Sequence, residues 1–235
     1  MLKVLISTSA VLFGLICCAN YGGKQITVKN STQAKPDEVL RHTAGEKFNI
    51  KNTRGVVALN KFVKGDFVRF YNADGSLWYE FTYFYDDRDG KFEYSNDDFR
   101  PFAFHQDNFL LVLKCTETTD RFFEVVVNEQ TGLKKYVKAN DPVLKFETWE
   151  KFVLSVFAVN FDKKANPLLE APNGRVKSVA VPSDANFRPV ETEGDWLKVR
   201  WGPDAAKTRD AMPNASGWIR WKNDGTLLVD FYYFS

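Results

Sequence analysis

The stretch that decides the fold reads Gly194-Asp195-Trp196-Leu197-Lys198-Val199-Arg200-Trp201 and, after an irregular gap, Gly217-Trp218-Ile219-Arg220-Trp221. Indole and β-branched side chains favour extended strands, and a strand sends successive side chains to opposite faces. The two segments therefore predict neighbouring strands of a small β-domain. Its predicted core set is Leu197, Val199, Trp201, Ile219 and Trp221.

The alternate positions of the same strands form a candidate binding surface. We expect Trp196 and Trp218 to be exposed and close together, with Lys198 and Arg220 beside them. Indole rings stack on sugars, and cations bind peptide carboxylates. The alternative is structural, because the same rings can simply cover the end of a barrel.

Residues 167–221 resemble the bacterial SH3-like (SH3b) domain family. The resemblance lies in Pro167-Leu168, the segment 194–199 and Gly217-Trp218-Ile219. It implies a small, partly open barrel, common in envelope proteins and often binding cell-wall peptide or glycan. Two features depart from the family pattern, namely a long insert at 203–216 and an additional strand within 227–234. The whole chain also resembles secreted proteins of Bacteroidetes-type bacteria, which brings no activity with it.

Composition and turn signals extend the β prediction over the rest of the chain. Aromatic residues make up 15%, including 21 Phe, and suit half-buried strands. Asn72-Ala73-Asp74-Gly75 predicts a hairpin turn. The strand at 77–85 is aromatic on both faces, so either both faces are covered or one is a binding platform, for which Trp78 is a further candidate. One short helix is predicted near 148–156, capped by Thr148. The predicted fold class is all-β, with two small β-barrel or SH3-like domains in tandem.

The predicted organisation has four segments. They are a signal peptide at 1–19, a flexible linker at 20–37, an N-terminal aromatic β-domain at 38–159 and a C-terminal SH3-like barrel at 166–235. The internal order of 113–146 matches that of 190–231, with Phe122 corresponding to Trp196 and Tyr136 to Trp218. This match indicates two copies of one barrel, or a chance similarity between two β-meanders.

The N-terminal segment predicts export to the periplasm or the cell surface. Lys3 precedes an uncharged apolar run, and Cys17-Cys18-Ala19 follows it. Cys18 also stands where a lipobox has its lipidated cysteine, although Cys17 replaces the small residue expected before it. Simple cleavage and lipidation both stay open, and we predict membrane contact only through a lipid anchor at Cys18.

Catalytic and metal chemistry find little support in the sequence. A Cys–His peptidase needs a thiolate beside an imidazole, but Cys115 lies within a strand pattern and only His42 and His105 exist. No serine-hydrolase, metalloprotease or phosphate-binding motif is present. The acidic residues at 86–89 and 97–98 are better interpreted as solvated turns than as a calcium site. We predict no catalytic residue, metal or cofactor.

The functional prediction is a non-enzymatic binding module of the cell envelope. Its expected partners are peptidoglycan peptide, glycan or an envelope protein. Nucleic acid is not expected, because 32 basic and 30 acidic residues leave a net charge of only +2. The alternative is a structural or assembly component of a surface complex with no small ligand. The candidate ligand-binding residues are Trp196, Trp218, Lys198, Arg220 and Trp78.

Overall fold

A computed structural model describes residues 49–84, 96–182, 185–202 and 215–234. The predicted signal peptide, the predicted linker and Cys18 lie outside these residues. So do His42, the acidic positions 86–89 and residues 203–214 of the insert.

The described part of the chain is mostly β with one short helix, which confirms that part of the predicted fold class. Its first eight strands and its helix are β1 (Gly55–Leu59), β2 (Val68–Tyr71), β3 (Leu77–Phe81), β4 (Ala103–His105), β5 (Leu110–Thr118), β6 (Phe122–Asn128), β7 (Leu133–Lys138), β8 (Leu144–Glu147) and α1 (Trp149–Ser155). The remaining strands are β9 (Ala158–Asn160), β10 (Arg188–Glu193), β11 (Trp196–Trp201), β12 (Ala215–Arg220), β13 (Lys222–Asn223), β14 (Thr226–Leu227) and β15 (Asp230–Tyr232).

The first eight strands form one antiparallel sheet in the order β3-β2-β7-β6-β5-β1-β8, with β4 paired to β5. Its two ends, β3 and β8, are not joined to each other, and the described residues contain no closed barrel. The predicted turn between β2 and β3 is present. There the amide of Gly75 donates to the carbonyl of Asn72 at 2.9 Å, and Gly75 has φ +83°.

The large sheet is buried on both faces at the neighbouring strands β1 and β5. Val57 and Leu113 belong to one apolar core, while Val56 and Val112 belong to another on the opposite face. This burial follows from the alternation of side chains along strands that are apolar without interruption. The second core also contains Trp149 and Phe152 of α1 and Trp221, so it joins the large sheet to the C-terminal strands.

Helix α1 begins where its cap predicts. The Thr148 hydroxyl accepts a hydrogen bond from the amide of Lys151 at 3.4 Å. Its buried side chains are Trp149, Phe152 and Val153. The indole of Trp149 donates to the Thr53 hydroxyl at 2.8 Å, which fixes the helix against the segment before β1. Among the described residues, no helix has the length and apolar character that a membrane crossing requires.

The C-terminal strands form three small sheets, β10-β11-β12, β13-β14 and β15-β9. Leu169 lies beside β12, because its amide and carbonyl both bond to Trp218 at 2.8 and 2.9 Å. The core set predicted from the sequence is confirmed, with exposures from 0% to 3%. The predicted additional strand corresponds to β15, which pairs with β9.

Candidate functional site

The outer face of β11 and β12 brings four of the predicted residues together. Trp196 lies opposite Arg220 and Lys198 lies opposite Trp218 in the strand register. Their neighbours Leu197 and Ile219 point into the core, so the four side chains share the other face. The guanidinium carbon of Arg220 is 5.7 Å from the centre of the Trp196 ring, and Lys198 Nζ is 5.6 Å from that of Trp218. Each cation therefore contacts an indole.

The two indoles differ in their exposure to solvent. Trp196 is half-buried, whereas Trp218 is only 8% exposed. The expectation of an exposed ring is therefore wrong for Trp218. Leu169 pairs with Trp218 on the edge of β12 that is opposite β11, so Trp218 has a backbone neighbour on both sides. Of the two rings, Trp196 is the one better placed to meet a ligand.

Both cations of this face also contact carboxylates of the same chain. Lys198 Nζ is 3.2 Å from Glu191 Oε2, and Arg220 Nη2 is 3.8 Å from Asp195 Oδ2. All four side chains keep about a third or more of their surface exposed, so each pair contributes about 0–1 kcal/mol. Arg220 Nε is buried without a hydrogen-bond partner among the described residues. A ligand carboxylate that displaces Asp195 would gain the guanidinium at little cost.

Trp78 lies in the large sheet, away from the β11–β12 sheet. Its half-buried ring packs edge-on against Phe70 at 6.3 Å between ring centres. Lys135 Nζ lies 5.0 Å from the centre of the Trp78 ring and donates to Asn72 Oδ1 at 2.8 Å. The structure therefore gives Trp78 its own cation but does not place it with Trp196.

Sequence reasoning missed a cavity of about 650 Å³ on the large sheet. One wall is the β2–β3 turn, residues 72–75, and the other is the β5–β6 turn, residues 119–121. Its floor is formed by Phe122, Glu124 and Tyr136. This volume is typical of sites for small ligands or a few peptide residues. No local motif marks the cavity, because its lining residues come from segments far apart in the sequence, namely 72–75, 117–124 and Tyr136.

The floor of this cavity is held by hydrogen bonds. The Tyr136 hydroxyl donates to Glu124 Oε1 at 3.2 Å, and Lys134 Nζ donates to Glu124 Oε2 at 2.8 Å. Burial alone would raise the pKa of Glu124, but the bonds from Lys134 and from the Thr116 hydroxyl outweigh it and lower that pKa. The charge of Glu124 in turn raises the pKa of Tyr136, so the phenol stays protonated.

Of the residues weighed for catalysis or metal binding, the structure describes Cys115, His105, Asp97 and Asp98. Cys115 is fully buried, and burial raises the pKa of its thiol to about 12. The ring of His105 packs edge-on against Phe234 at 6.0 Å between ring centres. Asp97 and Asp98 lie exposed in a turn. Within the described ranges, no group of three His, Cys, Asp or Glu residues is arranged to hold a metal ion.

Comparisons with known proteins give no relative, since no protein family, curated protein or solved structure matches the chain. The SH3-like resemblance therefore stays a prediction, and the functional argument depends on the geometry of the described residues.

Proposed function

We propose that the protein is a non-enzymatic binding module of the cell envelope, which holds a cell-wall peptide, a glycan or a protein partner through SH3-like barrels. The observation that carries the proposal is the paired arrangement of two indoles and two cations on one outer sheet face. A half-buried Trp196 offers a flat apolar surface for a sugar ring. The adjacent Arg220 offers a fork of donors for a carboxylate.

A shared strand register supports the tandem arrangement. In both the β6–β7 and the β11–β12 pairs, the first residue of the earlier strand is aromatic and lies opposite a cation. Two residues further along that strand, a charged residue lies opposite an aromatic residue of the later strand. The pairs are Phe122–Lys138 and Glu124–Tyr136 in the first hairpin, and Trp196–Arg220 and Lys198–Trp218 in the second. The inward residues also correspond, because Val137 and Ile219 are both fully buried.

The location in the envelope is supported by the sequence alone. The charged start, apolar run and small residues of 1–19 are typical of a secretory signal. These residues lie outside those that the structure describes. The periplasm or cell surface, with or without lipid at Cys18, is therefore part of the proposal.

Sedimentation with isolated cell-wall sacculi tests wall binding. A chain that begins at Asn20 should pellet with sacculi, and Trp196→Ala should weaken binding about tenfold or more, as expected for a central indole contact. Phe67→Ala is the matched control, because the Phe67 ring also contacts a cation, with the Arg69 guanidinium carbon 5.2 Å from its centre, and it lies just before β2, outside the β11–β12 face. Urea unfolding shows that each variant is folded. Wild-type protein that stays in the supernatant contradicts wall binding.

A structural or assembly role is the second candidate. It is favoured by the burial of Trp218 and by the carboxylate partners of Lys198 and Arg220, which leave the face largely satisfied within the chain. Under this proposal the face docks another protein subunit. Light scattering after size exclusion should then show an assembly that Trp196→Ala dissociates and Phe67→Ala does not.

A further inference from the structure

The outer face of β10, β11 and β12 carries opposite charges on the two sides of one indole. Glu193 lies opposite Trp196 in the register of β10 and β11, and Trp196 lies opposite Arg220 in that of β11 and β12. Residues directly opposite each other in an antiparallel pair send their side chains to the same face. The three side chains therefore form a row across the sheet, with a carboxylate, an indole and a guanidinium in that order.

The backbone of this row is held at both ends. In the β10–β11 turn, residues 194–195, the two carbonyls accept hydrogen bonds from Trp221, one from its indole at 3.1 Å and one from its amide at 3.0 Å. At the other end the Asn166 side chain bonds to the amide of Arg220 at 3.0 Å and to its carbonyl at 2.7 Å. The side chains of the row thus start from fixed positions, which reduces the ordering cost that a ligand must meet.

Both charged ends of the row keep bonding capacity for a ligand. Glu193 is exposed and forms no ion pair among the described residues. Arg220 Nε is buried without a hydrogen-bond partner among them, and the carboxylate of Asp195 lies 3.8 Å from Arg220 Nη2, which is beyond hydrogen-bond distance. The two opposite charges of the row do not pair with each other, and the Trp196 ring lies between them.

We infer that the ligand of this face carries an ammonium and a carboxylate on the same carbon. A diamino acid that is linked to a peptide through its side-chain amine presents such a group. Glu193 accepts from the ammonium, Arg220 donates to the carboxylate, and the carbon between them lies against the Trp196 ring. The inference rests on the proposed binding function and names a ligand class for it.

The dimensions of the row fit a group of this kind. Adjacent strands lie about 4.8 Å apart, so the backbones of Glu193 and Arg220 are about 10 Å apart. The nitrogen and the carboxyl carbon of an amino acid lie about 2.5 Å apart, and a charge-assisted bond at each end brings the span to about 8–9 Å. The guanidinium already leans toward Trp196, 5.7 Å from the ring centre, and the exposed Glu193 side chain can adjust from the other side. A ligand with a single charge uses only one end of the row.

The test uses three forms of lysine whose side-chain amine is acetylated. Nε-acetyl-lysine carries both charges on one carbon, its C-terminal amide keeps only the ammonium, and its Nα-acetyl derivative keeps only the carboxylate. Each is titrated into the chain beginning at Asn20, and NMR shifts of the amides in β10, β11 and β12 report binding. The doubly charged form should bind about two- to fivefold more tightly than either of the others, as for one partly exposed ion pair.

Two results overturn the inference. They are equal affinities for the three compounds and no binding by any of them up to about 20 mM. If the chain still pellets with sacculi in a way that depends on Trp196, the proposed function stands and only the ligand class is wrong. Failure of both experiments contradicts the proposed function as well.

Glutamate variants locate the ammonium end of the site. Glu193→Gln should lower the affinity for Nε-acetyl-lysine about two- to fivefold, to that of the Nα-acetyl derivative, without weakening the derivative itself. Glu80→Gln is the matched control, because Glu80 is also an exposed strand glutamate but lies in β3 of the large sheet, where it pairs with Arg69. It should leave all three affinities unchanged. Equal effects of the two variants would refute the site, and urea unfolding of each variant verifies its fold.

Discussion

Two glycines with the same backbone conformation offer a measurement of how tightly residues 49–51 pack on the β13–β14 turn. Gly225 has φ +71° and Gly132 has φ +72°, so alanine is strained about equally at both positions. A Cβ at Gly132 would meet nothing within 4 Å. A Cβ at Gly225 would lie 2.5 Å from the Cα of Lys51 and 3.0 Å from its amide nitrogen. These are backbone atoms and cannot rotate away.

The size of the effect follows from these contacts. The left-handed conformation costs alanine about 1–2 kcal/mol at either site. At Gly225 the displaced backbone adds an overpacking cost of about 1–3 kcal/mol. The hydrogen bond from the Ile50 amide to the Gly225 carbonyl, 2.6 Å long, would also be lost, at about 1 kcal/mol. Gly225→Ala should therefore be less stable than Gly132→Ala by about 2–4 kcal/mol.

Equilibrium urea unfolding of the two variants measures this difference. With an m-value of about 2–3 kcal/mol/M, the midpoint for Gly225→Ala should be roughly 1 M lower than that for Gly132→Ala, with the same slope. Equal midpoints would refute the reasoning, because they would mean that Lys51 does not pack against the turn in solution. A changed slope would show instead that residues 49–51 detach before the rest unfolds.

Three further measurements test local features. Thr148→Ala should reduce stability by about 1 kcal/mol in urea unfolding, because the first turn of α1 loses its cap, and an unchanged midpoint would contradict the cap. Burial alone would raise the pKa of Glu150, but the hydrogen bond from Lys222, 2.6 Å long, the charge of Lys222 and hydrogen bonds from the Glu150 amide and Thr148 together lower it below its unfolded value of 4.5. The contribution of Glu150 to stability is therefore present above that pH and is lost as the pH falls below it. Lys222→Met should therefore lose less stability than wild type between about pH 6 and pH 3, and parallel losses would exclude the pair. The Cys115 thiol, with a pKa of about 12, should react with a disulfide reagent at about pH 8 only after unfolding, and rapid reaction of the native protein would contradict its burial.

Local signals in the sequence were sufficient for the features that depend on neighbouring residues. Asp74-Gly75 predicts its turn because glycine accepts a positive φ. The alternation from Leu197 to Trp201 predicts the core face, because an antiparallel strand buried on one side repeats every two residues. Thr148 predicts the start of α1 because its hydroxyl can accept from an amide of the first turn.

Long-range features could not be predicted in this way. The burial of Trp218 depends on Leu169 pairing with it, and nothing near Trp218 in the sequence shows that pairing. The cavity on the large sheet depends on the bulge before Glu117, which shifts this carboxylate opposite Glu124. A shift of one residue would send the Glu117 side chain to the other face, so only the observed register shows that Glu117 and Glu124 face each other.

The contact between the start and the end of the described chain also bears on how the protein is made. Asn49 pairs with Thr226, and Lys51 pairs with Asp224 across 173 positions. Phe231 packs on both Phe102 and Phe152, with ring centres 6.2 and 5.5 Å apart. A chain synthesised only as far as β14 lacks Phe231, so Phe102 and Phe152 keep contacts with water that β15 later removes. This core can therefore be completed only after β15 has been made.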